Sequence, residues 1–278
     1  MNPSVTDPTH PSIVYYDSDY PSKEFCRYPE NFDKVVSQQG IADDADKYLQ
    51  LANKSGTKVL ELCCGTGRIS LPLVANGCNV TAVDISAPLL RRFKNKVQDL
   101  ADFPFQDLTI IKQDVTKLDL PERNFDTVVC AFNSLLCIPD FEQQQQTLLN
   151  AAAHLRPGGL LALDIWNPLI MNLLSEDSPL AYYTRKREDN GNEYTRFAGT
   201  GPIDTRQIQP VYGWYDETLA DGKTKRTSYH LEWRIIFRYE IELMLEKAGL
   251  KIQHIYGGNH DEPFHTTSQK MFILATKI

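Results

Sequence analysis

The 278 residues include six cysteines but no CxxC pair. Cys63, Cys64 and Cys130 sit at the ends of apolar segments, which marks reduced, buried thiols. A disulfide framework or zinc site would need paired spacings. No apolar run approaches the roughly 20 residues of a membrane span, so no membrane partner is expected. The opening MNPSVTDPTHPSIVYYD has no basic stretch followed by an apolar one, which predicts a cytoplasmic chain with no secretory leader. Positive charge is also scarce: 29 Lys and Arg face 36 Asp and Glu, a formal net charge of −7. A duplex-binding protein needs a basic face to replace condensed counterions, so nucleic acid is disfavoured. Two local clusters, Arg91–Lys96 and Thr184–Glu188, have acidic or polar neighbours and read as solvated faces. A core is not lacking, since 42% of residues are hydrophobic and 10% aromatic, as in an ordinary globular protein.

Four segments follow from the pattern along the chain. Residues 1–30 are rich in Pro, Ser, Asp and Tyr without a sustained period; their aromatic end (Tyr15, Tyr16, Tyr20, Phe25, Tyr28) has reason to pack. Residues 31–166 form the core. They begin with one or two helices interrupted near Gly40, and strand and helix signals then alternate. KVLELC, NVTAVDI, LTIIKQD, FDTVVCAFN and LLALDIW read as strands. RISLPLVANG, SAPLLRRFKNKVQDL and FEQQQQTLLNAAAHL read as helices, with N-cap Ser86, an early Pro88 and a closing Gly77. Such alternation indicates a doubly wound, mostly parallel α/β sheet covered on both faces. Residues 167–237 switch to Tyr- and Thr-rich alternation, with hairpin turns at EDNGNE and LADGKT. They form an antiparallel insertion after the fifth strand. Residues 238–278 supply a helix and two strands that complete a seven-stranded sheet.

Chemistry concentrates in VLELCCGTGR, Val59–Arg68. Gly65 and Gly67 lie where the first strand turns into its helix, at the carboxyl edge where doubly wound sheets bind ligands. Glycine there leaves room for a ligand to approach the backbone. Asp84 ends the second strand, where a carboxylate can accept both hydroxyls of a ribose. These features also fit a dinucleotide site, but Ser70 takes the third glycine position of G-x-G-x-x-G. Glu61 is an acid inside an apolar strand, placed to anchor the glycine loop. Asp114 and Val115 end the third strand, and Ala131 to Ser134 the fourth. Four consecutive strand ends therefore present polar groups along one edge. Cys63 and Cys64 read as small hydrophobes beneath the loop, since nothing nearby depresses a thiol pKa. His254, His260 and His265 fall across a strand and a loop without a ligand cluster, so no metal is expected. His154 reads as a helix C-terminal residue favoured by the dipole.

In order and spacing these motifs resemble the class I S-adenosylmethionine-dependent methyltransferases. The match runs from Lys58 to Trp166 plus the final helix and strand pair. The resemblance implies that the Gly65–Gly67 loop packs against the methionine moiety, with Glu61 and Arg68 also among the cofactor-binding residues. Asp84 would bind the ribose, and Ile85 would stack on adenine. Asp114 would accept from the adenine amino group, the Val115 N–H would support the ring, and the backbone at Ala131 would meet the ammonium. The cofactor would be S-adenosyl-L-methionine, leaving as S-adenosyl-L-homocysteine. Within that class the layout resembles the aminosugar N,N-dimethyltransferases and glycine N-methyltransferase-like enzymes. An enzyme of that kind, monomeric or homodimeric, would methylate a small molecule at an amine nitrogen. Asn133, His230 and Tyr16 are the catalytic candidates; Tyr20, Trp166, Tyr212, Trp214 and Arg234 are the acceptor-binding ones. FNSL stands where amino methyltransferases of nucleic acids carry N/D/S-P-P-Y/F, and Asn133 has no Asp beside it for the magnesium of the catechol type. A small-metabolite O-methyltransferase, an NAD(P)-dependent oxidoreductase and a non-catalytic regulatory protein of the same fold are the alternatives.

Overall fold

A computed structural model describes residues 6–22, 26–33, 44–100 and 103–278. The expected interruption near Gly40, with Val35, Val36 and Ile41, and the aromatic Phe25 lie outside the described residues.

The described chain separates into two units. One gathers the described residues before Asp44 with Asn172–Trp233; the other comprises Asp44–Met171 and Arg234–Ile278. In the second unit α3 (Asp44–Ser55) precedes β1 (Lys58–Leu62), α4 (Ser70–Ala75), β2 (Asn79–Asp84) and α5 (Ala87–Gln98). Then follow β3 (Leu108–Lys112), β4 (Phe125–Cys130), α6 (Phe141–His154) and β5 (Leu155–Trp166). After the insertion come α7 (Arg238–Lys247), β10 (Leu250–Tyr256) and β11 (Lys270–Lys277). The seven strands lie in the order β10-β11-β5-β4-β1-β2-β3. β1 through β5 are parallel, and β11 runs antiparallel to both its neighbours. β1, β2 and β4 are almost wholly buried, as expected of central parallel strands rich in Val and Leu.

Local signals in the sequence set the ends. The Ser86 hydroxyl accepts from the Leu89 N–H at the start of α5, and Asp140 accepts from the Gln143 N–H at the start of α6. Gly77, φ +86°, closes the turn after α4. One boundary differs from expectation: Arg156–Gly159 belong to β5 as a bulge. Phe125 pairs with Leu155 and Thr127 with Leu160, and Gly158 takes φ +71°.

In the first unit α1 (Pro11–Val14) and α2 (Tyr16–Asp19) are single turns. β6 (Leu180–Lys186), β7 (Glu193–Thr200), β8 (Ile208–Thr218) and β9 (Thr224–Arg234, its last residue in the second unit) form an antiparallel sheet in that order. Tyr183, Tyr194, Val211, Tyr215 and Tyr229 line its buried face together with Tyr15. The Asp19 carboxylate accepts from Tyr194 (2.8 Å), Tyr215 (2.6 Å) and Arg196 (3.2 Å). A buried carboxylate with three donors is satisfied.

Candidate functional site

At Cys63 the backbone leaves β1 in the left-handed region (φ +57°), and it returns there at Gly65 (φ +57°) and Gly67 (φ +82°). The Gly67 N–H closes the turn on the Cys64 carbonyl at 2.9 Å. A Cβ at Gly67 would stand 2.2 Å from the Phe93 ring of α5. Helix packing against the loop therefore demands this glycine, where sequence reasoning assigns it to ligand clearance. Lys96, further along α5, donates to the Thr66 hydroxyl at 2.9 Å.

Asp84 holds this loop from the neighbouring strand. Its Oδ2 accepts from the Gly65 N–H at 2.8 Å, and its Oδ1 from the Ser86 N–H at 2.7 Å. Burial raises its pKa, opposed by the N–H groups of Ser86, Gly65 and Ile85. Each oxygen can still accept a further donor. Glu61 is buried on β1 and accepts from the Ser70 hydroxyl. Burial pushes its pKa up to about 8, against the Ser70 bond and the Arg68 charge. Arg68 is itself held bidentate by Asp44 of α3, at 2.5 and 2.7 Å, and its guanidinium lies 5.0 Å over the Phe132 ring.

Further along the edge, Asp114 Oδ1 accepts from the Thr116 N–H (2.9 Å) and hydroxyl (2.8 Å). No bond to its Oδ2 occurs among the described residues. The Val115 carbonyl accepts from the Asn150 side chain at 2.9 Å, and Ile85 is half-buried at the end of β2. Past Ala131, Phe132 and Asn133 are both left-handed, φ +57° and +59°. Asn133 Oδ1 accepts from the Trp166 N–H at 2.6 Å, so its side chain ties the ends of β4 and β5 together. Asp164 Oδ1 accepts from the Phe132 N–H (2.7 Å) and the Tyr48 hydroxyl (2.6 Å), while Oδ2 faces Lys270 Nζ at 3.1 Å. Burial would raise the Asp164 pKa, but Lys270, Tyr48 and the Phe132 N–H hold it below the usual carboxylate range.

The thiols are packing groups. Burial pushes Cys63 and Cys64 well up and Cys130 to about 12, so they stay protonated. His154 departs from expectation. It is fully buried; the Leu120 N–H donates to its Nε2 at 3.1 Å, and its Nδ1 lies 2.7 Å from the Asn150 carbonyl. Burial lowers its pKa, making it a neutral hydrogen-bonding ring; sequence reasoning expects a cation at the helix end. His254, His260 and His265 are exposed. Among the described residues no three His, Cys, Asp or Glu side chains gather as a metal ligand set. No helix there is long and apolar enough to cross a membrane.

The acceptor candidates divide between the units. In the second unit Asn133 and Trp166 meet at the sheet edge, whereas Arg234 is buried between α6 and α7. It donates to Gln144 (2.8 Å) and Glu240 (2.5 Å), which clamps two helices and differs from the acceptor contact expected of it. In the first unit Tyr16 and Tyr20 pack edge to face at 5.4 Å, and the Tyr20 hydroxyl accepts from Arg196 at 3.0 Å. Tyr212 and Trp214 lie on the face of β8 opposite Tyr215. The Tyr212 hydroxyl donates to the Asp177 carbonyl at 3.0 Å, and Trp214 stacks on Phe197 at 4.9 Å. His230 is exposed on β9 beside the buried Tyr229. Sequence reasoning missed Asp44, Tyr48, Asp164 and Lys270. For Asp164 the signal was present: an acid within the apolar LLALDIW.

Residues 59–159 match a family described as a methyltransferase domain. Cypemycin N-terminal methyltransferase from a Streptomyces species is 28% identical over 219 residues, covering 79% of this chain and 82% of that protein. Among solved structures, the CcbJ methyltransferase of Streptomyces caelestis aligns with a TM-score of 0.72 at 23% identity, over 85% of this chain and 95% of its own. S-adenosylmethionine-bound CalS10, an amino pentose methyltransferase from Micromonospora echinaspora, aligns with a TM-score of 0.65 at 19% identity, over 87% of this chain and 91% of its own. At these identities the two structures show a shared fold.

Proposed function

We propose that this chain, which belongs to the class I S-adenosylmethionine-dependent methyltransferases, methylates an amine nitrogen of a small-molecule acceptor. The observation that carries the cofactor side is the Asp84 carboxylate, tied to the Gly65 N–H at 2.8 Å with acceptor capacity to spare. In this reading Asp84 takes the ribose hydroxyls, Asp114 Oδ2 the adenine amino group, and Ile85 one face of the ring. The Val115 N–H supports that ring from its edge. Gly65, Gly67, Glu61 and Arg68 shape the methionine end, and the Ala131 backbone accepts from its ammonium. Bound S-adenosylmethionine supplies a sulfonium-activated methyl carbon, so the chain's own groups align the acceptor lone pair and exclude water.

Nitrogen is favoured over oxygen on chemistry. A neutral amine needs only to shed its ammonium proton, whereas a hydroxyl needs a positioned base. The names of two similar proteins, one for an N-terminus and one for an amino pentose, support that choice. Asn133 and Trp166 are assigned to the acceptor side at the ends of β4 and β5. Tyr16, Tyr20, Tyr212, Trp214 and His230 remain candidates on the first unit.

The pH–rate profile with a series of small amines tests this. If the neutral amine reacts, log(kcat/KM) climbs with unit slope up to each acceptor's own ammonium pKa and then levels. A rise at one fixed pH for every acceptor would mean that an enzymic base sets the reactive form, and would contradict reaction of the free neutral amine.

A further inference from the structure

Asp164 is 1% exposed and lies in none of the cofactor contacts assigned above, yet its carboxylate collects Tyr48, Lys270 and the Phe132 N–H. Its backbone carbonyl also accepts the Asn133 N–H at 3.0 Å. Both amides it holds belong to left-handed residues other than glycine. Such backbone persists only where the surroundings over-determine it, and it gathers at functional sites. Asn133 Oδ1 on the Trp166 N–H and the Ser134 hydroxyl on the Ala131 carbonyl (2.7 Å) complete the turn.

The turn is also held from the glycine loop. Glu61 on β1 pairs with Val129 on β4, two residues before Ala131. Arg68 lies over the Phe132 ring and is fixed by Asp44, one helical turn before Tyr48 on α3. α3 therefore reaches this turn twice, through Tyr48 and Asp164 and through Asp44 and Arg68.

We infer that Asp164 is a positioning residue, which locks Phe132 and Asn133 left-handed and thereby fixes the Ala131 backbone against the amino-acid end of the methyl donor. The inference rests on the assignment of Ala131 to that end. It predicts that Asp164 matters for one part of the cofactor only.

The test is calorimetric titration of the full chain and its Asp164→Ala variant with two ligands. S-adenosylhomocysteine carries the amino-acid end; 5′-methylthioadenosine lacks it. Asp164→Ala should weaken S-adenosylhomocysteine at least tenfold, about 1.4 kcal/mol, and leave methylthioadenosine within twofold. Equal weakening of both, or of neither, overturns the inference. If the wild type binds the two ligands alike, the Ala131 assignment itself fails, and the inference falls with it. Tyr48→Phe, which removes one hydroxyl from Asp164, decides the matter if the alanine variant does not fold. It should give the same selective loss, two- to fivefold, and an unselective effect or none overturns the inference.

Discussion

Replacing Glu61 by Gln probes the base of the glycine loop through pH. Glu61 is 3% exposed, and its pKa is pushed from 4.5 to about 8, chiefly by burial. A carboxyl raised on folding favours the protonated native state. Its contribution to stability is complete below pH 4.5 and disappears as pH rises to about 8. A rise of that size, at about 1.36 kcal/mol for each tenfold change in proton affinity, sets a ceiling of about 5 kcal/mol. Gln keeps the shape and a carbonyl for the Ser70 hydroxyl but cannot ionise. Urea unfolding of the two apoproteins at pH 5, 6, 7 and 8 isolates the effect, because all other titrating groups cancel in the difference. The variant should gain on the wild type at each step and stand several kcal/mol above its pH 5 position by pH 8. A difference that does not change with pH would refute the burial argument.

Asp84→Ala strips the Gly65 and Ser86 N–H groups of their partner. Calorimetry should show S-adenosylhomocysteine weakened by roughly 1–3 kcal/mol, as for buried donors left unpaired, and unchanged affinity would refute the ribose assignment. Gly67→Ala combines φ +82° with a methyl 2.2 Å from the Phe93 ring. Left-handed strain and overpacking together should cost roughly 2–4 kcal/mol in chemical denaturation; wild-type stability would mean that the loop and α5 separate freely. His154 has a pKa lowered from 6.5 by burial, so its contribution is complete above pH 6.5 and lost as pH falls below it. The stability advantage of wild type over His154→Gln should therefore shrink on acidification, and an advantage constant from pH 8 to 5 contradicts the neutral-ring assignment.

Much of the second unit was legible because its signals are local. Buried parallel strands print runs such as NVTAVD, a helix start prints Ser86, and an acid inside an apolar strand marked Glu61. What escaped was long-range pairing. Arg68 looks like a ligand contact in the sequence, but only folding brings Asp44 to it across 24 residues. Arg234 was an acceptor-binding candidate in the sequence, and only folding brings Gln144 of α6 and Glu240 of α7 to it. Gly67 reads as ligand clearance until Phe93 is seen above it. His154 looks like a dipole-stabilised end group because the Leu120 amide that it accepts from lies 34 residues away. Asp164 carried the same signal as Glu61, but its partners Tyr48 and Lys270 lie 116 and 106 residues off. Tyr212 and Trp214 show the limit from the other side, since alternation along β8 gives their shared face but no acceptor.

The most direct measurement is the site of the transferred methyl. The chain is incubated with S-adenosylmethionine labelled with carbon-13 at the methyl group and a panel of amino sugars, amino acids and short peptides. Carbon-13 NMR of the products should show N-methyl resonances, and the Asp84→Ala variant should form them more slowly at limiting cofactor. Label on oxygen with the amine untouched, or no label in any acceptor while S-adenosylhomocysteine binds tightly, would contradict the account.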